Sequence, residues 1–217
     1  MSLKKSKKMF EEARPIIPGG VHSGFRYTEP HPRYFSHAKG SKVWDVDGNE
    51  YIDCLVNMGA CILGHGHPAI IESVKQQLDK GLTVGLESEL SIKVAKLLSS
   101  IIPSGEMVKF SNTGTEAVMH AIQIARGYTD KNKIMKLEGG YNGWYDFVRV
   151  STNPDLEKAG PESNPNPIPM SGGLAKEVVK HTLLMPFNNI QVAENLIKKN
   201  KEVWIVHILH RQRAYKK

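Results

Sequence analysis

The sequence predicts an α/β protein, and three stretches carry that prediction. Residues 107–110 form a short apolar run that ends in a polar turn, Ser111-Asn112-Thr113-Gly114-Thr115. A helix pattern follows, with Val118, Ala121, Ile122 and Ala125 on one face, and a second apolar run at 133–137 completes a strand–helix–strand unit. Two amphipathic stripes upstream, one over 69–80 and one over 90–101, and a strand–helix–strand run over 181–206 extend the same alternation.

From the N-terminus, residues 4–14 read as a short charged helix with Met9, Phe10 and Ala13 as its apolar side, broken by the prolines and glycines of 15–20. The segment 42–55 reads as a β-hairpin. Val43 and Val46 precede an Asp47-Gly48-Asn49 turn, and Tyr51 and Ile52 follow it. Asp45 and Asp47 are turn residues in this reading, because the alternating ligands and closing glutamate of a calcium loop are missing. His65 and His67, in a Gly-His-Gly-His-Pro loop, lack a third ligand nearby, so no metal is assigned. The helix over 69–80 is expected to pack through Ile70, Ile71, Val74 and Leu78, and the helix over 90–101 through Val94, Leu97, Leu98 and Ile101. Residues 151–173 are rich in Pro, Asn, Ser and Gly and read as a long loop. Residues 181–187 read as a strand and 192–199 as a helix with Val192, Leu196 and Ile197 inward. Residues 202–206 begin a last strand.

The turn at 111–115 has the ingredients of an anion site. Thr113 and Glu116 have capping-box spacing, which starts the helix near Gly114. The first amides of a helix lack intrahelical partners, and the macrodipole favours negative charge beside them. Gly114 lets the backbone approach a phosphate, and two threonine hydroxyls add donors. Neither the Walker sequence nor the dinucleotide fingerprint is present. On the turn alone an ordinary capped helix explains the pattern equally well. The second part is Gly139-Gly140-Tyr141-Asn142-Gly143-Trp144-Tyr145, an aromatic set among glycines just after the next strand. A flat ligand carrying a phosphate uses both parts.

S-N-T-G-T-E-A, then A-R, then G-G-Y-N-G-W-Y-D together resemble the class III aminotransferases among the pyridoxal phosphate enzymes, nearest the glutamate-1-semialdehyde 2,1-aminomutase branch. The resemblance implies fold type I, a three-layer α/β/α architecture, present here incompletely, and pyridoxal 5'-phosphate as cofactor. It places Thr113, Gly114 and Thr115 at the cofactor phosphate and Tyr141 against the pyridine ring. Pro18-Gly19-Gly20-Val21-His22-Ser23, followed by Arg26, resembles the branch's substrate-carboxylate segment, so Ser23 and Arg26 are the candidate substrate residues. A guanidinium fork suits a carboxylate bidentately. Thr113 stands where the family has serine, Asn142 where it has histidine, His22 where it has asparagine, and Met58 where the aminomutase branch has tryptophan. The Met58 and Asn142 departures leave the exact substrate open. In the branch, a mobile lid falls at 151–173.

The resemblance covers residues 9–206, about the first half of a family member, and divides the chain into an N-terminal segment over 1–60, a partial cofactor-binding domain over 61–206 and a divergent basic tail over 207–217. By the same resemblance the aldimine lysine and the carboxylate that holds the pyridine nitrogen lie downstream of position 217, so no catalytic residue is assigned. The change of sequence at 207 looks like a frameshifted or prematurely ended gene product. About five strands of a larger sheet are expected, with an unpaired apolar edge at 203–208 that makes the polypeptide marginal and partly oligomeric. The favoured function is amino-group transfer on glutamate 1-semialdehyde, giving 5-aminolevulinate. The alternatives are an ω- or amino-acid aminotransferase of the same class, or an inactive fragment that binds cofactor weakly or packs with a partner.

Composition narrows the remaining classes. The 217 residues are 40% hydrophobic and 24% charged, a globular balance, and no apolar run has the length to span a bilayer. Four lysines in residues 1–8 and four basic residues in 207–217 together exceed the formal charge of +7, so the basic balance belongs to the ends. That argues against a nucleic-acid face, which needs clustered basic residues on a folded surface. Cys54 and Cys61 make neither a disulfide framework nor a zinc set. A cytoplasmic enzyme, homodimeric as in its family and acting on a small amino acid or amino-aldehyde away from membranes, fits these observations.

Overall fold

The computed structural model describes residues 1–82, 85–201 and 203–205. The chain divides into two compact units, Met1–Ser88 and Glu89–Lys217; the sequence places its first boundary after residue 60.

In the first unit, helix α1 (Lys4–Ala13) precedes a three-stranded antiparallel sheet of β1 (Phe35–Lys39), β2 (Lys42–Asp45) and β3 (Glu50–Ile52), with helix α2 (Pro68–Leu78) after it. Val43 of β2 faces Ala38 on one side and Tyr51 on the other. The hairpin is where the sequence places it, and β1 is an addition that no periodicity marked. Asp45 organises the turn: its carboxylate accepts the Asp47 and Asn49 amides, the Asn49 side chain and the Tyr51 hydroxyl. Asp47 caps α1 from far along the chain, accepting the amides of Lys5 and Ser6 at 2.8 and 2.9 Å and the Ser6 hydroxyl at 2.8 Å.

The second unit holds α3 (Glu89–Ile101), α4 (Gly114–Thr129), β4 (Lys133–Leu137), α5 (Lys176–Lys180), β5 (Thr182–Met185), α6 (Ile190–Lys199) and β6 (Val203–Ile205). The three strands are parallel in the order β5-β4-β6, with Met135 opposite Leu183 and Ile205. Successive side chains of a strand point to opposite faces, and β4 uses both. Ile134 packs with Val118 and Ile122 of α4 and with Val148, while Met135 packs with Met185 and Leu196 of α6. Helices therefore cover both faces of the parallel sheet, giving three layers.

Three expectations need correction. Residues 107–110 are not a strand: both sides of β4 are taken by β5 and β6, and no ladder partner for the run lies among the described residues. The parallel sheet has three strands among the described residues, not about five. The apolar stripes of α2 and α3 are not packed inward, and neither helix has a buried residue. Ile70, Ile71, Val74, Leu78, Val94, Leu97 and Ile101 are all exposed. The basic tail over 207–217, and residues 202 and 206 to 208 of the expected final strand, lie outside the described residues.

Candidate functional site

The start of α4 is built as its sequence requires. Thr113, with extended backbone, accepts the Glu116 amide on Oγ1 at 3.1 Å, and Glu116 reaches back to complete the capping box. Its Oε2 accepts the amides of Asn112 at 2.7 Å and Thr113 at 3.1 Å. This corrects one detail of the sequence reading. The Thr113 N–H is committed to Glu116, so the amides of the helix start with no hydrogen-bond partner among the described residues are those of Gly114 and Thr115, its first two residues. Thr113 and Gly114 are exposed and Thr115 is half-buried.

The glycine–aromatic loop comes to this turn. Trp144 donates its backbone N–H to Thr115 Oγ1 at 3.0 Å. Gly143 has φ +96°, and a Cβ built on it would lie 2.7 Å from Thr115 Oγ1 and 2.9 Å from Thr115 Cα, so the close approach requires glycine. Accepting the Trp144 amide fixes the Thr115 oxygen and leaves its hydroxyl hydrogen to donate elsewhere. Arg149 lies over the Trp144 ring with its guanidinium carbon 3.9 Å from the centroid. The loop is tied at its neck as well. Gly139 donates to Ser151 O at 2.8 Å, and the buried Lys136 Nζ donates to Val150 O at 2.9 Å and Leu137 O at 3.1 Å. Burial lowers the Lys136 ammonium to about 8, against an opposing pull from Glu138. Tyr141, two residues from Gly143, is 40% exposed.

Ser23 and Arg26 belong to the first unit. Ser23 precedes a single 3-10 turn, Gly24–Arg26, and its carbonyl accepts the Arg26 amide at 2.9 Å. Both side chains are exposed. Arg26 lines a cavity of about 850 Å³ that Arg33, His22, Cys61 and His65 also line; Ser23 is not among its lining residues. The structure thus unites Thr113, Gly114, Thr115 and the Tyr141 loop in one place, while Ser23 and Arg26 lie in the other unit.

Sequence reasoning quoted Gly143 and Trp144 without giving them a role, and passed over Lys136 and Arg149. A glycine directly before a tryptophan was the available signal for Gly143. A lysine within the apolar run Lys133–Leu137 was the signal for Lys136.

A parallel α/β layer whose helix start lies beside a glycine–aromatic loop is an arrangement that suits an anionic group. The class III aminotransferase family model matches residues 26–202. The chain is 43% identical over 202 residues to glutamate-1-semialdehyde 2,1-aminomutase of Methanosarcina acetivorans, covering 93% of this chain and 46% of that protein. It is 42% identical to the Archaeoglobus fulgidus protein of the same name, over 93% of this chain and 46% of that one. An ω-transaminase from Sphaerobacter thermophilus superposes with a TM-score of 0.86 at 38% identity, over 92% of this chain and 46% of that one. The chain belongs to the class III aminotransferase family, has the type I fold of these enzymes, and spans about half the length of the curated relatives it matches. The family acts on small molecules, and no helix among the described residues is long and apolar enough to cross a membrane.

Proposed function

We propose that this chain forms the phosphate-binding part of a pyridoxal 5'-phosphate enzyme of the glutamate-1-semialdehyde 2,1-aminomutase type, which makes 5-aminolevulinate for tetrapyrrole synthesis. The observation that carries this reading is Thr115, held between the open end of α4 and the Gly143–Trp144 backbone. The residues present fit the cofactor's phosphate end. The amides of Gly114 and Thr115 hold phosphoryl oxygens, and the hydroxyls of Thr113 and Thr115 add donors. Tyr141 covers the ring face, and Arg26 takes the substrate carboxylate, with Ser23 beside it. When bound, the cofactor supplies the electron sink for amino-group transfer. No lysine of this chain is assigned the covalent role. The whole enzyme acts in this reading as a cytoplasmic homodimer.

The identity to aminomutases from two archaea favours that substrate. A second reading, transamination by an ω- or amino-acid aminotransferase of the same class, is favoured by the match to an ω-transaminase at 38% identity and by Met58 in place of tryptophan. Assaying the full-length enzyme decides between them. Conversion of glutamate 1-semialdehyde to 5-aminolevulinate without an added amino donor supports the aminomutase. Turnover only with an ω-amine and an oxo-acid supports the transaminase.

A further inference from the structure

We propose that Cys61 is a nucleophilic thiol that captures small carboxylate-bearing aldehydes; the carboxylate end of this inference rests on the role given to Arg26 above. Cys61 lies in the first unit. Three side chains stand in the order that nucleophilic catalysis uses: a nucleophile, a base within hydrogen-bond reach, and a group that orients the base. Cys61 Sγ is 3.6 Å from His65 Nδ1, and His65 Nε2 is 2.7 Å from Asp53 Oδ2. Asp53 is itself fixed, its Oδ1 accepting the amides of Leu55 at 2.8 Å and Val56 at 3.0 Å. These bonds hold the Asp53 carboxyl below its ordinary range, the His65 bond contributing most. With Nε2–H donated to Asp53, His65 Nδ1 is the bare nitrogen that accepts the thiol hydrogen. Gly40 and His65 exchange backbone bonds at 2.8 and 2.9 Å, which holds the His65 main chain while Asp53 holds its ring.

A histidine–aspartate pair alone would serve only to hold a loop. Two further facts give the group a ligand. Both Cys61 and His65 line the cavity of about 850 Å³, a volume within the range of small-molecule sites. Arg26 and Arg33 line the same cavity, so its wall carries positive charge that favours anions. Arg26 and Arg33 therefore bring a carboxylate to the cavity in which the thiol opens.

The chemistry balances without a co-reactant. As sulfur attacks the carbonyl carbon, the thiol proton passes to His65 Nδ1. The S–C bond forms, the carbonyl π pair moves to oxygen, and His65 returns the proton to that oxygen, leaving a hemithioacetal. The step reverses by the same path. The irreversible probe iodoacetate follows the same first half, with iodide departing as the S–C bond forms.

The test uses the full chain, with exposed Cys54 as the internal reference. Each cysteine's labelling by iodoacetate and by neutral iodoacetamide is followed by peptide mass spectrometry. Cys61 is expected to outpace Cys54 with iodoacetate by about tenfold, in line with electrostatic focusing in a charged cleft, and by less with iodoacetamide. Arg33→Gln should reduce the iodoacetate advantage and leave the iodoacetamide rate. His65→Gln should slow Cys61 with both reagents, and Asp53→Asn, checked for native circular dichroism, provides the same reading if the histidine variant misfolds. Succinate semialdehyde should protect Cys61 from iodoacetamide, and succinate should not. Equal rates at Cys61 and Cys54, no slowing in a folded Asp53 or His65 variant, or equal protection by succinate would each overturn the proposal. None of these outcomes depends on pyridoxal phosphate binding, so the phosphate-turn reading stands or falls separately.

Discussion

Gly143 sits against Thr115 so closely that an added methyl group would lie 2.7 Å from the threonine oxygen. Gly143→Ala therefore meets two obstacles, the contact itself and a φ of +96° that L side chains avoid. The expected cost is about 1–3 kcal/mol of stability. Pyridoxal phosphate affinity should fall further than the stability loss explains, because Trp144 leaves Thr115 Oγ1. A urea titration and a cofactor titration on the same protein check this. Unchanged cofactor affinity would mean that the loop's docking on Thr115 has no part in the site.

Glu116 shapes the turn and also opposes its proposed ligand. Its carboxylate accepts the Asn112 and Thr113 amides close to the open amides of Gly114 and Thr115. Glu116→Gln keeps an acceptor for both amides and removes a negative charge from the helix start. Charges at a helix terminus are worth about 0.3–1 kcal/mol. The variant should bind inorganic phosphate a few-fold more tightly and melt at slightly lower temperature. Isothermal titration and a thermal melt read the two effects; weaker phosphate binding with an intact helix would contradict this electrostatic reading.

Lys136 makes stability depend on pH in a definite direction. Burial holds its pKa at about 8 rather than the ordinary 10.5, with Glu138 pulling the other way. Below about pH 8 the folded protein carries the full cost of the buried charge. Between the two values the folded chain has shed a proton that the unfolded chain still holds, so stability rises with pH. The contribution totals about 3 kcal/mol. Lys136→Met lacks this rise, and it also strips a donor from Val150 O. Urea titrations at pH 7.5 and 10.5 should show the wild type gaining on the variant at the higher pH. Parallel pH profiles would rule out a depressed lysine.

Much of this was legible from residue patterns because it depends on local chemistry. The Thr113–Glu116 spacing announced the capping box, and the runs at 133–137 and 181–187 contain the observed strands β4 and β5. What failed depended on partners distant in sequence. An apolar run at 107–110 is a strand only if a neighbour offers a ladder, and β4 has no side left to offer. An amphipathic stripe says which face a helix would bury, not that anything covers it, and the stripes of α2 and α3 lie exposed. Asp47 as the cap of α1 spans 41 residues and has no local signature. The Cys61–His65–Asp53 group lies close in sequence but has no periodic signature, since Asp53 belongs to the segment read as a hairpin and the histidine to the loop read as structural.

Those exposed stripes predict association. Leu97, at 59% exposed, and Ile101, at 63%, lie one turn apart on α3, and contiguous apolar surface of this kind marks interaction sites. The chain should show concentration-dependent mass in light scattering. Leu97→Glu, on a helix with no buried residue, should shift the distribution toward monomer without loss of helical signal. A monodisperse monomer at all concentrations would show that the stripes need no cover.

The most direct test of the central claim is a backbone-amide NMR titration of the chain with pyridoxal 5'-phosphate, with pyridoxal as the control that lacks the phosphate. Saturable shifts at the Gly114 and Thr115 amides with the phosphorylated form alone, accompanied by Trp144, are the predicted result. Amides at 114 and 115 that stay still while others move, or that respond equally to pyridoxal, would contradict it.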